Sequence, residues 1–245
     1  MTATGILTAR VVRRGQLDLA FAVLVPISGL IGLALLLRDV IPTGAMSYQQ
    51  YILPAIVVQA MLFGALTTTD RAAWAKVSGL DTRMRTLPIS PYAMLLARMN
   101  FCLIRGVLGL AASILGAYIL GFRFTTGFGY FAAFVLLSLL LTLALSFGAD
   151  VIGTKAGRPE VASQLLMIPQ VVLVVLSTGL VPVDAFPSWI HPFVQYQPIS
   201  QIIDTLRGFT SGQLETGTLL TALAWCVGML IVFGAMAVRL QGRES

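Results

Sequence analysis

The sequence predicts an all-α integral membrane protein, a single domain over residues 1–245 with six transmembrane helices and both termini on the cytoplasmic side. Three observations predict it. Hydrophobic residues make up 57% of the chain and charged residues only 11%, with a mean hydropathy of +0.89, far outside soluble composition. Six apolar segments have spanning length, at residues 19–37, 51–69, 99–120, 128–149, 161–181 and 218–238. With the N-terminus inside, twelve of the sixteen lysines and arginines fall in cytoplasmic segments, three fall outside, and Arg105 lies within a span. The basic balance therefore marks loops beside anionic headgroups and is no argument for a nucleic-acid partner. Cys102 and Cys226 both fall in apolar spans, where each reads as a small hydrophobe and not as half of a disulfide.

Residues 1–18 carry Arg10, Arg13 and Arg14 on one helical face. Ile6, Leu7, Val11 and Val12 do not segregate cleanly from them, so the segment reads as a basic anchor for the first span. The first apolar run is too long for a signal peptide and lacks a small-residue cleavage site. Pro26 and Ser28 within it can bend a membrane helix whose freed carbonyl finds another donor. Past an outer loop with Asp39, Pro42 and Gly44, Tyr48 and Tyr51 read as interface anchors. Gln59 lies near the middle of the second span, which ends in Thr67, Thr68 and Thr69. Polar groups at that depth face protein, in helix packing or toward a substrate.

Residues 70–98 form the largest cytoplasmic excursion. Asp70 and Arg71 open it and Gly79 interrupts it. Asp81 can cap a second short helix carrying Arg83 and Arg85, which Pro88 and Pro91 end. Such a charged, turn-bounded helix suits docking onto a separate protein, and a plain inter-span loop shares the same composition. In the third span Arg98 and Arg105 are seven apart and share a face, about 10 Å along the axis. A charge that deep is costly unless it snorkels or pairs. Arg105 either reaches the inner headgroups or meets Asp150 or Asp70, both at cytoplasmic ends of neighbouring spans.

Residues 121–124 make a tight outer turn, and a near-featureless fourth span returns to Asp150. The loop at 153–160 contains two glycines and a lysine but lacks the order of a phosphate-binding loop. The fifth span is the most polar, with Gln164, Pro169 and Gln170 at its heart and Ser177, Thr178 and Gly179 at its end. The sixth is plain and stops at Arg239.

Between the last two spans lies the stretch 179–209. Pro182, Pro187, Pro192 and Pro198 each remove a backbone donor and restrict the residue before it. Phe186, Trp189, Phe193 and Tyr196 among them are rings of the kind that collect at the membrane–water boundary. From Pro198 the pattern turns helical: Ile199, Ile202, Ile203, Leu206 and Phe209 share one face, and Asp204 and Arg207 lie on another. Pro198 suits the first turn and Gly208 the end. The helix so predicted is about 18 Å long against a hydrocarbon core of about 30 Å. It lies in the outer interface or dips partway, with the Asp204–Arg207 face in water. The stretch reads both as an ordered loop that holds its neighbours in place and as part of a transport path.

The chemistry the chain lacks narrows its function. A lone histidine, His191, excludes a His-rich metal site, and no nucleophile signature appears. All ten acidic residues fall in loops or at span ends, so an ion-coupled carrier lacks its buried carboxylate. No ring of like residues suggests a channel filter. A membrane half-transporter energised from elsewhere remains, with an ATP-independent secondary transporter or channel subunit as the alternative.

The run Pro187-Ser188-Trp189-Ile190, followed by Gln197-Pro198-Ile199-Ser200 and Arg207, resembles the extracellular loop before the last span in permeases of type-2 ABC exporters. Within that family it most resembles the actinobacterial daunorubicin-resistance (Drr) permeases, which export hydrophobic drugs or complex envelope lipids. The resemblance implies an interfacial helix at the N-terminus and a coupling helix at 70–90, drawing on Asp70, Arg71, Gly79, Asp81, Arg83, Arg85 and Pro88. Many relatives open that loop with more acid, whereas here only Asp70 and Asp81 are acidic. It implies an extracellular gate loop carrying Pro187, Trp189, Phe193, Pro198, Asp204 and Arg207. The path would be lined by the first, second and fifth spans, with Gln59, Gln164, Gln170, Ser177 and Thr178 as candidates. It further implies a multi-pass plasma membrane protein with two copies of a separate ATPase, which holds ATP and Mg, and a second permease chain, identical or homologous. No cofactor is expected on this chain itself.

Overall fold

The computed structural model describes residues 3–37, 47–79, 92–156, 158–179 and 181–243. Among them are nine α-helices and no strands. They are α1 (Ala3–Arg14), α2 (Gln16–Leu37), α3 (Tyr48–Val77), α4 (Ala93–Ile119) and α5 (Phe128–Lys155). There follow α6 (Pro159–Val175), two 3₁₀ turns, the short α7 (His191–Tyr196), α8 (Pro198–Ser211) and α9 (Thr216–Arg243). Asp81, Arg83, Arg85 and Pro88 of the predicted coupling helix lie outside the described residues.

Five helices, α2, α3, α4, α5 and α9, are long and apolar enough to cross a membrane. The predicted fifth span differs. Its helix, α6, has 17 residues and stops at Val175, where the apolar segment runs on to residue 181. That is about 25 Å of helix, short of the usual 30 Å. The chain turns early because Ser177 Oγ donates to the Val174 carbonyl at 2.7 Å and accepts from Gly179 N at 3.2 Å, closing a local turn in place of another helical one.

Several helices outrun their predicted ends, among them α3 and α8. Asp70, Arg71 and Lys76 do not open a loop: they belong to the last turns of α3, which continues to Val77. The segment between Asp70 and Val77 is rich in alanine and long side chains, which favour helix until Gly79. Similarly, α8 passes the expected stop at Gly208 and ends at Gly212, whose φ of 75° supplies the left-handed C-terminal cap.

The hub is α3, which packs against α2, α4, α5, α6 and α8. Ile52, Leu53, Ile56, Val57 and Val58 of α3 meet Phe134, Leu137 and Leu141 of α5 in the main core. The α8 face predicted from its period, Ile199, Ile202, Ile203, Leu206 and Phe209, is buried in the same core. Ile203 is 2% exposed, and Gln201, two residues away, is half-buried. A cysteine placed at residue 201 should react with an impermeant thiol reagent much faster than one at 203, in a background free of Cys102 and Cys226. Equal rates would show that α8 does not bury this face.

Polar clasps separate the two ends of the bundle. At one end Arg71 Nη2 lies 2.5 Å from Asp18 Oδ2, joining the end of α3 to the start of α2. There too Arg98 Nε pairs with Asp150 Oδ1 at 2.8 Å, and Lys76 Nζ donates to the Thr154 carbonyl at 2.8 Å. At the other end Gln50 Nε2 donates to the Thr210 carbonyl at 2.9 Å, and Thr126 Oγ1 donates to that of Phe209 at 2.8 Å. Consecutive long helices thus run in opposite directions. Their outward faces, with Leu24 and Leu35 on α2, Ile168 and Val171 on α6, and Ile231 on α9, leave large apolar side chains exposed.

Candidate functional site

The early end of α6 creates the first site. A helix end leaves carbonyls without intrahelical donors, and here those of Leu176 and Thr178 are met by side chains from α3, from α8 and from Gln197, the residue that precedes α8. Gln197 Nε2 donates to the Leu176 carbonyl, and to Ser200 Oγ at 3.1 Å. Tyr51 Oη and Arg207 Nη2 each donate to the Thr178 carbonyl at 3.2 Å. Thr178 N donates to Ser200 Oγ at 3.1 Å, and its hydroxyl donates to the Asp204 carboxylate at 3.0 Å. Arg207 Nη1 closes the ring on Asp204 Oδ1 at 2.8 Å, and the guanidinium stacks 4.0 Å above the Tyr51 ring.

This clasp corrects two expectations. The Asp204–Arg207 face lies only partly in water: the side chains are 33% and 13% exposed, because both turn onto Thr178 just past the end of α6. Tyr51 is not an interface anchor but is 7% exposed beneath Arg207. Burial pushes the Asp204 carboxyl up from its ordinary range, while Arg207 and the Thr178 hydroxyl pull it back. Of the other gate-loop residues, Pro198 opens α8 at its first turn, and Pro187, Trp189 and Phe193 lie on the surface outside the clasp. Trp189 is 78% exposed.

At the opposite end the two arginines on one face of α4 part company. Arg98 takes Asp150, both deeply buried. Arg105 meets neither Asp150 nor Asp70; it is 6% exposed, and its Nε has no hydrogen-bond partner. Its guanidinium lies over Gly64 of α3, where a Cβ would come within 2.5 Å of Nη1. The adjoining cavity, lined by Pro26, Met61, Gly106, Thr142 and Ser146 among others, measures about 20 Å³. That is room for about one water. Replacing Arg105 with lysine should preserve folding, and leucine should not, because Thr142 and Ser146 in that cavity offer partners to a polar head that leucine lacks. Equal behaviour of leucine and wild type would remove any role for the charge.

The five path candidates are not brought together. Gln170 is 8% exposed and its Nε2, without a partner, borders an apolar cavity of about 170 Å³ between α3, α5, α6, α8 and α9. Gln164 points to the outer surface of α6, Gln59 is half-buried on α3, and Ser177 and Thr178 are built into the clasp turn. Tyr51, Gln197 and Ser200 were not among the expected site residues. The last two stand in the motif Gln197-Pro198-Ile199-Ser200, and only the position of the α6 end reveals their work. Asp18, the partner of Arg71, was not singled out from the sequence either. No group of three or more His, Cys, Asp or Glu side chains converges among the described residues.

Comparison with known proteins adds a family to this geometry. Residues 28–239 match the family described as "ABC-2 family transporter protein". The doxorubicin resistance ABC transporter permease protein DrrB of Mycobacterium tuberculosis is 36% identical over 201 residues, covering 80% of this chain and 70% of the relative. The daunorubicin resistance ABC transporter permease protein DrrB1 of Streptomyces coeruleorubidus is 27% identical over 226 residues, covering 91% and 79%. A probable DrrC permease of Mycobacterium tuberculosis is 26% identical over 181 residues, covering 74% and 65%. The chain belongs to the ABC-2 transporter family, as a multi-pass permease of the plasma membrane of the kind that works with an ABC ATPase.

Proposed function

We propose that this permease is one half of the membrane path of an ATP-driven exporter of hydrophobic drugs or cell-envelope lipids. It is a single domain that crosses the membrane six times, with α6 as a short fifth span and both termini in the cytoplasm. The bundle end that carries Arg71, Lys76 and Arg98 is then cytoplasmic, in line with the bias of basic residues toward that side. Two copies of a separate ATPase hold ATP and Mg, and this chain has no nucleotide site of its own. A second permease, identical or homologous, covers the exposed apolar faces of α2 and α6 and completes the path. The resistance named in the relatives supports a hydrophobic cargo.

The observation that carries this reading is the reach of α3. It is one continuous helix of 30 residues, about 45 Å, from the Tyr51 end in the outer clasp to the Arg71–Lys76 end beside the 80–91 segment. A push delivered there by the closing ATPases moves the helix along its length. At the far end it draws Tyr51 from Arg207 and from the Thr178 carbonyl, so the clasp opens outward. Asp70, Arg71, Gly79, Asp81, Arg83, Arg85 and Pro88 are the proposed coupling set; Asp204 and Arg207 hold the gate. Gln170, the buried amide beside an apolar cavity, is the best of the path candidates.

Replacing Arg83 and Arg85 with alanine should lower export and transport-linked ATP hydrolysis while leaving membrane insertion intact. Unchanged export, with the ATPase still bound, would take the segment out of the mechanism.

A further inference from the structure

Apart from Arg71, the residues of the cleft between α1, α3 and α4 have no place in the transport reading above. It encloses about 250 Å³ and combines arginines with an apolar floor. Leu7, Arg10, Val11 and Arg14 of α1 stand at positions i, i+3, i+4 and i+7, so one face of that helix forms a wall. Arg13 is exposed, as Arg10 and Arg14 are, but does not line the cleft. Arg71 and Arg98 complete the basic rim from α3 and α4, and Phe101 lies at its base with the Arg71 guanidinium 4.1 Å over its ring.

The charges do not balance. Arg71 is matched by Asp18 and Arg98 by Asp150, but no carboxylate among the described residues pairs with Arg10 or Arg14. The cleft therefore carries an excess of two positive charges beside apolar side chains, at the point where α1 meets the first turns of α2 and α4. A free anion would satisfy the arginines and leave Leu7, Val11 and Phe101 unused. An apolar molecule would do the reverse. Two forked guanidiniums suit phosphate oxygens, and basic pockets beside membrane helices suit acidic headgroups.

We propose that this cleft binds one anionic phospholipid, with its phosphate between Arg10 and Arg14 and the start of an acyl chain over Leu7, Val11 and Phe101. The lipid ties α1 to α3 and α4 beside the coupling segment. The leaflet follows from the orientation proposed above; binding itself does not depend on that orientation or on any cargo.

The test uses the full chain in detergent, with dioleoyl phosphatidylglycerol, dioleoyl phosphatidylcholine and inorganic phosphate as separate probes, read by native mass spectrometry and thermal melting. One phosphatidylglycerol should be retained about tenfold or more in preference to phosphatidylcholine, whose headgroup brings its own cation. Arg10→Gln with Arg14→Gln should reduce retention about tenfold or more, and Arg10→Lys with Arg14→Lys should recover most of it. Arg13→Gln removes the same kind of charge from outside the cleft and should leave retention unchanged. Val11→Trp keeps every charge but fills the apolar part of the cleft from the α1 wall, and should also reduce retention. Equal retention of the two lipids would overturn the proposal, as would an Arg13→Gln effect equal to that of the cleft arginines. Retention unaffected by Val11→Trp would overturn it as well. Melting raised equally by inorganic phosphate would make this a site for a soluble anion and sink the lipid assignment.

Discussion

Replacing Asp150 with alanine should destabilise the protein by about 3–5 kcal/mol, because it takes a buried carboxylate from beside the Arg98 guanidinium in a site that water barely reaches. Arg98 is 7% exposed and Asp150 1%, and the pair joins the start of α4 to the last turns of α5 at 2.8 Å. The attraction between the two charges offsets part of the cost of taking them out of water, so the loss of one leaves more of that cost on the other. Arg98→Met should be nearly as harmful. The double replacement, Arg98→Met with Asp150→Leu, removes both charges and should recover much of the loss. Thermal melting of the purified variants in detergent measures all three. Additive losses in the double variant would mean that the pair does not act as a unit.

The other large effect is expected at Gly153 on α5. A Cβ there would collide with the Thr69 carbonyl oxygen of α3 and lie 2.8 Å from Ala72 Cβ. The obstacle is backbone, which cannot rotate away as the end of a long side chain can. Helices in a membrane gain by close approach of small residues, and this contact lies where the hub helix meets α5. Gly153→Ala should cost about 1–3 kcal/mol, the usual penalty for overpacking, and Gly153→Leu should prevent stable assembly. Gly228→Ala on α9, where a Cβ meets nothing within 4 Å, is the matched control and should be neutral or slightly stabilising. Similar yields and melting temperatures for Gly153→Leu and wild type would show that α3 and α5 do not approach this closely.

Both effects arise from contacts between segments far apart in the chain, and neither was legible beforehand. The sequence put Asp150 at the cytoplasmic end of a neighbouring span and Arg98 and Arg105 on one face. Which arginine would meet it depended on how far α5 slides along α4. The structure sets that register so that Arg98 is level with Asp150, and Arg105 is left over Gly64. Gly153 looked like part of a loop because α5 was expected to stop near residue 149, and the helix runs on to Lys155.

The sequence by itself determined the membrane class, the position of most long helices and the buried face of α8. These follow from composition and from periods read within one segment, where solvent preference acts residue by residue. The resemblance of the Pro187–Arg207 run to type-2 exporter permeases pointed to the family to which the chain belongs. Tertiary structure alone decided the polar contacts. The α6 helix stops at Val175, its last carbonyls then need donors, and Tyr51, Gln197 and Arg207 supply them from distant parts of the chain. A residue pattern shows which groups can donate, but the groups left needing a donor become defined only when the helices have packed.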